Sequence, residues 1–362
     1  MAPALIDHVD VRVFDVPTLT MPETDGTAAW SSTTMVLVQL HAGGVVGLGY
    51  SYIDASAARV VIHLLAPCLE GGSAFAIPAL HARMVQVVRN HGRAGIAACA
   101  IAACDVALWD LKARQLELPV SALLGAARDD VPVYASGGFT STPLDALARE
   151  IEGYVAAGHR RVKIKIGRSL DVALERVLLA RAAAGPAVEL MVDANGAYTR
   201  KEAIELAARL EDLGVRYFEE PVSSDDLDGL RLVRDRAQLA VAAGEYGYDG
   251  LYFRRMLEAG AVDILQADAT RCLGITGFLQ ADVLCDVFGL PLSAHCAPAL
   301  HLHPARAARR LLHVEHFFDH VRVEALLFDG VPAVVDGCLH SEGRRPGLGL
   351  ELRAHEAARF AA

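Results

Sequence analysis

The chain has 362 residues, of which 53% are hydrophobic and 22% charged, enough apolar material for a large core and too much for a disordered or fibrous protein. Its formal net charge of -10 leaves no general attraction for polyanions, so nucleic acid is not an expected partner. Seven cysteines form no CxxC pair and several sit in apolar runs, as reduced core cysteines of a cytoplasmic protein do.

The N-terminus, "MAPALIDHVDVRVFDV", places acidic residues where a secretory signal needs a basic start, so no export signal is expected. The segments "HVDVRVFDV" and "TTMVLVQL" alternate like strands, and "HAGG" turns the chain into "VVGLGYSY". Gly44, Gly47 and Gly49 do not make a nucleotide loop, because phosphate-binding glycines must open a helix and these lie in a hairpin. Helical periodicity follows in "AARVVIHLLAPCL" and from Ala94 to Gln115. The longest apolar run, "AGIAACAIAAC", meets Asp105 well before the roughly 20 residues that span a bilayer. It reads as a buried helix, and no membrane partner is expected. Residues 1–125 are therefore expected to form an α+β domain.

From about residue 131 short strands alternate with amphipathic helices. The strand candidates are "VPVYASGG", "RVKIKIG", "ELMVDAN", "RYFEEP", "AVAAGE", "VDILQAD", "LPLSAH" and "LHVEHF". Eight such units predict an α/β fold, a (β/α) TIM-type barrel over residues 126–322. Beyond it, "VRVEALLFDG" and "GCLHSEGRRPGLGLELR" read as hairpin-like, and residues 323–362 are expected to pack back on the first domain and complete it as a cap.

Reactive groups of such barrels sit at the C-terminal ends of the strands. Those positions hold Lys163 and Lys165, Asp193 and Asn195, Glu219, Glu245, Asp268, His295 and Glu315. Asp193, Glu219 and Glu245 end three neighbouring strands, so their carboxylates converge and require a cation; hard oxygen donors without a nearby cysteine favour Mg²⁺. Asp268 and His295 end the next two strands, where the carboxylate orients one imidazole nitrogen and leaves the other for proton transfer. Strand alternation turns Lys163 and Lys165 inward, where mutual repulsion, the metal and burial favour a neutral amine and make Lys165 a base. Glu315, protonated or hydrogen-bonded, is placed to meet a developing oxyanion. In "HLHP", His301 and His303 suit a polar helix start better than a second metal site.

The ordered set "KIK", "VDAN", "FEEP", "GE", "ADATRCLGITG", "SAH" and "VEH" resembles the enolase superfamily, specifically its mandelate racemase subgroup, over the whole chain. The resemblance implies Mg²⁺ on Asp193, Glu219 and Glu245, with Lys165 as base on one substrate face and Lys163 contacting the substrate carboxylate. It implies His295, oriented by Asp268, on the other face, and Glu315 bonded to an enediolate. That pattern, a Lys or His base with a divalent metal, is the established one for the superfamily. Two features depart from mandelate racemase itself: Arg271 replaces a lysine, and the capping loop "TLTMPETDGTAAWSS" is polar. With Glu23, Thr24, Asp25 and Ser31 beside Trp30, that loop argues against an aryl substrate, and Glu23, Trp30 and Asn195 become candidate substrate contacts.

The expectation is a cytoplasmic, homo-oligomeric, Mg²⁺-dependent enzyme that abstracts the proton α to a carboxylate through an enediolate and dehydrates an acid sugar. The alternative is racemisation or epimerisation of a 2-hydroxy acid. A remote third is a catalytically silent ligand-binding barrel, which would have lost base or metal positions that this sequence retains.

Overall fold

The computed structural model describes residues 4–19, 22–340 and 345–362. Thr20 and Met21 of the capping loop, and residues 341–344 of the C-terminal hairpin-like stretch, lie outside the described residues.

The N-terminal region is a three-stranded antiparallel sheet of β1 (His8–Pro17), β4 (Ser32–Ala42) and β5 (Val45–Tyr52), with β4 central. Between β1 and β4 a small ribbon, β2 (Glu23–Thr24) and β3 (Ala29–Trp30), projects from the sheet. The helix Ile96–Gln115 lies on β5 and is buried along most of its length. Its many alanines and the β5 glycines explain the close fit: a Cβ on Gly47 would come within 2.4 Å of Leu111, and one on Gly49 within 2.2 Å of the Ala103 carbonyl oxygen. These glycines let a helix backbone approach a sheet, which is their role in place of phosphate binding. The helical run predicted from Ala57 contains a π-helical turn, Val61–Leu65, just before Pro67, which has no N–H to continue the ordinary ladder.

All eight predicted barrel strands form: β6 (Asp130–Gly137), β7 (Arg161–Lys165), β8 (Glu189–Asp193), β9 (Val215–Glu219), β10 (Ala240–Ala243), β11 (Ile264–Ala267), β12 (Leu292–Ala294) and β13 (Leu311–Phe317). They pair in parallel in chain order, and β13 pairs with β6 to close the barrel. Alternation sorts the side chains as expected. Val162, Ile164 and Ile166 join the large core outside the sheet, while Tyr134, Met191, Tyr217, Ala242 and Ile264 form a floor within the barrel.

The stretch after β13 differs from the hairpin expected of it. Phe318–Leu327 is a helix that buries Asp319, His320, Val323, Glu324 and Leu327. The alternating valines of "VRVEALL" imitate a strand, but the residues actually buried recur at helical spacing. Beyond it, β14 (Phe328–Asp329) pairs with β17 (Glu351–Leu352), and β15 (Val334–Val335) forms a hairpin with β16 (Cys338–His340), which adds antiparallel to β6. The tail also returns to the N-terminal sheet, where Ala362 N–H donates to the Val13 carbonyl at 3.1 Å. Among the described residues no helix is long and apolar enough to cross a membrane.

Candidate active site

The strand register delivers the reactive groups in a row. Lys165 is opposite Asp193, and Asp193 is opposite Glu219, on β7, β8 and β9. Glu245 lies just past β10, where Gly244 adopts φ +136°; a Cβ there would sit 2.2 Å from the Gln266 carbonyl oxygen, so only glycine allows the bend that brings Glu245 inward. Asp193, Glu219 and Glu245 are buried, and ligand oxygens from all three lie within 4.8 Å of one another. Burial and the neighbouring Asp193 push the Glu219 carboxyl well above the usual range, despite Lys163. A cluster of buried, mutually destabilising carboxylate oxygens with no soft donor among them fits a hard divalent cation such as Mg²⁺.

The lysines face carboxylates that work against the neutral amines expected of them. Lys163 Nζ donates to both Glu219 oxygens at 2.6 Å and lies 2.8 Å from Glu315; Lys165 Nζ donates to Asp193 Oδ2 at 2.5 Å. Burial pulls both ammonium groups down, but Glu219 and Glu315 around Lys163, and Asp193 beside Lys165, more than reverse it, and both end above the ordinary lysine range. The expected neutral amine rests on the paired ammonium groups, burial and the metal together, and these carboxylates oppose it. Of the two states expected of Glu315, protonated or hydrogen-bonded, the structure has the second: burial raises its carboxyl, but Lys163 at 2.8 Å lowers it further and holds it ionised. Its Oε2 accepts from the Cys296 backbone N–H at 3.1 Å.

His295 follows β12. Its Nδ1 lies 2.8 Å from Asp268 Oδ2, and its Nε2 faces Glu245 at 3.3 Å and Glu315 at 3.7 Å. Asp268 also accepts from the Thr270 N–H and hydroxyl, both at 2.7 Å. Burial alone would raise Asp268; the hydrogen bond and charge of His295, with Arg271 beyond, hold it well below the usual carboxylate range. Ionised Asp268 therefore fixes the Nδ1–H tautomer and leaves Nε2 to exchange a proton. Arg271 bridges Glu245 Oε1 at 3.1 Å and Asp268 at 3.6 Å, and lies over the Tyr246 ring.

His301 and His303 are structural. His301 Nε2 accepts from the Ala269 N–H while Nδ1 donates to the Cys296 carbonyl, and His303 Nδ1 accepts from the Ser121 N–H while Nε2 donates to the Leu348 carbonyl. With one nitrogen an acceptor in each ring, both are neutral, and burial pushes His303 down to about 4.

These groups open into a cavity of about 380 Å³ between the barrel mouth and the N-terminal region. Lys165, Asn195, Glu245, Arg271, His295 and Glu315 line the barrel side. Asn195, at φ +48°, donates its N–H to Asp193, and its side-chain oxygen is buried with no hydrogen-bond partner among the described residues. Trp30 lines the opposite side, edge-on to Phe139. Glu23 does not reach the cavity. It is buried behind Asp319, and burial, then the Asp319 carboxyl, raise it to about 8 against the pull of Arg322. Sequence reasoning missed Cys296, Asp319, His320 and Tyr52, all of which line the cavity. The signal for two of them was present: "FFDH" carries Asp319 and His320 within one turn of the end of the last barrel strand. Glu220, the second acid of "FEEP", was also passed over; it is buried at φ +40°, with one oxygen lacking a partner among the described residues.

Comparison with known proteins now decides the family. The sequence matches the mandelate racemase / muconate lactonizing enzyme N-terminal domain over residues 8–125 and the enolase C-terminal domain-like family over residues 146–357. The chain belongs to the mandelate racemase / muconate lactonizing enzyme family of the enolase superfamily. It is 31% identical over 99% of both chains to 3,6-anhydro-alpha-L-galactonate cycloisomerase of Streptomyces coelicolor. It is 32% identical over 76% of its length to L-talarate/galactarate dehydratase of Salmonella typhimurium, and covers 70% of that protein. The latter's structure, liganded with Mg and L-lyxarohydroxamate, aligns over 100% of this chain and 94% of that one, at a TM-score of 0.90 and 27% identity. A mandelate racemase/muconate lactonizing enzyme-like protein from Rubrobacter xylanophilus aligns at a TM-score of 0.97 and 51% identity, over 99% of this chain and all of the other. The protein is a Mg²⁺-dependent enzyme of the lyase and isomerase chemistry that this family performs.

Proposed function

We propose that this enzyme dehydrates an acid sugar to a 2-keto-3-deoxy acid. The reading is carried by one observation: Lys165 and His295 approach a single cavity from opposite ends of the Asp193–Glu219–Glu245 arc, on strands two and seven of the barrel. Asp193, Glu219 and Glu245 would hold Mg²⁺, which when bound supplies positive charge to offset that developing on the substrate carboxylate. With Asp193 engaged on the metal, the ion pair that holds Lys165 protonated would be weakened and its Nζ freed as an amine; that amine removes the α-proton, and the C–H electron pair passes into the carboxylate to give an enediolate. Lys163, fixed between Glu219 and Glu315, keeps an ammonium beside that charge, and Asn195 Oδ1 accepts from a substrate hydroxyl. His295, protonated at Nε2 and oriented by Asp268, donates to the β-hydroxyl as the C–O bond breaks and water leaves. The resulting enol tautomerises to the 2-keto acid.

The chain is organised in this reading as a cap (1–125), a barrel (126–322) and a C-terminal segment (323–362), in a homo-oligomer in a reducing cytoplasm, where its seven free thiols stay reduced. Racemisation of a 2-hydroxy acid needs the same two proton carriers, and the aromatic contacts of Trp30, Phe139 and Phe317 favour it as the second reading. The deciding experiment incubates the protein and Mg²⁺ with a panel of acid sugars and with mandelate, scoring 2-keto product and optical rotation. A keto product from one sugar supports dehydration. Inversion of mandelate with no keto product from any sugar replaces it with the second reading.

A further inference from the structure

The cavity has two ends of opposite electrostatic character. At the barrel end, Lys165, Arg271 and His295 accompany the acids, and this end receives the reacting carboxylate. Away from them the cavity is lined by Asp25, Asp54 and Asp319, by Ser32, Thr33 and Thr34, and by Trp30, with the stacked rings of Tyr52 and His320 joining this end to the Ala297 turn after His295.

Asp25 accepts from the Thr27 N–H and hydroxyl and from the Ala28 N–H, and Asp54 from the Ser56 N–H; neither has a basic partner among the described residues. Asp319 accepts from the Thr33 hydroxyl at 3.3 Å and lies 3.4 Å from Arg322. Among the described residues two cations stand near this end and neither lines the cavity: Arg168 donates to the Gly26 carbonyl at 3.3 Å on the exposed side of the ribbon, and Arg322 stands behind the wall and also donates to the Pro17 carbonyl at 2.7 Å. The Arg322 charge is matched by Asp319, with Glu23 pressed against the same carboxylate and held protonated near neutral pH. His320 adds no charge. Its Nδ1 accepts from the Ala297 N–H at 3.3 Å, its ring stacks on Tyr52 at 3.4 Å, and burial, then His295, push it down to about 3. Its Nε2 is therefore an uncharged donor.

We infer that the substrate carries a single carboxylate, bound at the barrel end, and that its far end is an uncharged hydroxylated chain, because the wall there presents aspartates, hydroxyls and a neutral imidazole. This rests on the acid-sugar reading above and narrows it to monoacids. A sugar hydroxyl donates to carboxylate oxygens and accepts from the serine and threonine hydroxyls and from His320. A terminal carboxylate meets like charge at close range with no cation on the lining wall, a penalty of roughly tenfold or more in affinity at an effective dielectric constant of about 20. The rings of Trp30 and Tyr52 supply flat apolar surface to the C–H faces of the chain.

The test uses the Mg²⁺-loaded enzyme with three compounds of one configuration: a six-carbon monoacid sugar, the corresponding diacid, and that diacid with its far carboxylate converted to a primary amide. Binding is followed by calorimetry, and turnover by 2-keto product. The expected result is that monoacid and amide bind at least tenfold more tightly than the diacid, and that Asp319→Asn narrows the gap severalfold. A diacid that binds or reacts as well as the monoacid overturns the inference while leaving the dehydratase reading intact. Monoacid preference in binding with no keto product does the reverse. Absence of binding by all three overturns both, and the comparison of compounds on the unaltered enzyme stands whether or not the Asp319 variant folds.

Discussion

The barrel wall of the cavity takes its reactive groups from strand ends in fixed register, whereas the opposite wall is assembled from the β2–β3 ribbon, the start of β4 and the helix Phe318–Leu327. On the first wall, position along a strand dictates which way a side chain faces and which residue lies beside it. On the second, a side chain's place depends on how three separate segments meet. The barrel wall therefore holds groups whose distances must be accurate for proton transfer, and the cap wall holds groups that recognise the rest of the molecule.

If this division is right, the largest effects come from the barrel wall. Asp193→Asn removes one of three converging carboxylates; we expect Mg²⁺ affinity to collapse and turnover to fall by roughly 10³ or more, with circular dichroism unchanged. An unaltered Mg²⁺ titration removes the metal assignment. Lys165→Met and His295→Asn are each expected to lower turnover by about 10² to 10⁴. Each should also abolish solvent deuterium exchange at one configuration of the α-carbon, read by NMR; identical loss of both exchanges in each variant contradicts two independent carriers.

Asp268→Asn probes a residue acting through another. The amide cannot hold the Nδ1–H tautomer as the carboxylate does, so kcat should drop by about 10 to 100-fold, with KM little changed and the pH profile displaced. On the cap wall the pattern reverses: Trp30→Ala should raise KM by about tenfold and leave kcat within a few-fold, since it touches no group that moves a proton. A collapse of kcat there breaks the division between the walls.

The smallest effect concerns the joint between the two regions. Glu324 receives a hydrogen bond from Tyr50 of β5 at 2.6 Å and one from the Ala299 N–H at 3.1 Å. Burial raises its carboxyl to about 8 in spite of both bonds. The folded protein thus keeps a proton there that the unfolded chain releases above its ordinary value near 4.5, so stability is greatest below that value and declines as pH rises towards 8. Glu324→Gln should flatten the slope of melting temperature between pH 5 and 8, recovering on the order of 2 kcal/mol at pH 8. An unchanged slope means that Glu324 is ionised in the fold.

Legibility in the sequence followed the same division. Lys163, Lys165, Asp193 and Glu219 could be placed because strand alternation fixes facing from sequence alone, and all of them turn into the barrel mouth. The charge states of the lysines could not, because they depend on which side chains meet across adjacent strands and across strands two places apart around the barrel. On the cap wall, Trp30 was found by residue type, but Glu23 was misplaced: it pairs with Trp30 across the ribbon yet is turned behind Asp319, a residue nearly three hundred positions away in the sequence. The helix Phe318–Leu327 was hidden by valines at alternate positions, and Asp319 and His320 were hidden with it.

The separation of the two walls along the polypeptide has a consequence for descent. The groups that move protons and hold the cation lie between residues 163 and 315, while much of the surface met by the remainder of the substrate lies between residues 25 and 54. After gene duplication, substitutions confined to that short early stretch alter which molecule is selected without disturbing how its bond is broken. A lineage built on this plan should diversify its substrates faster than its reaction.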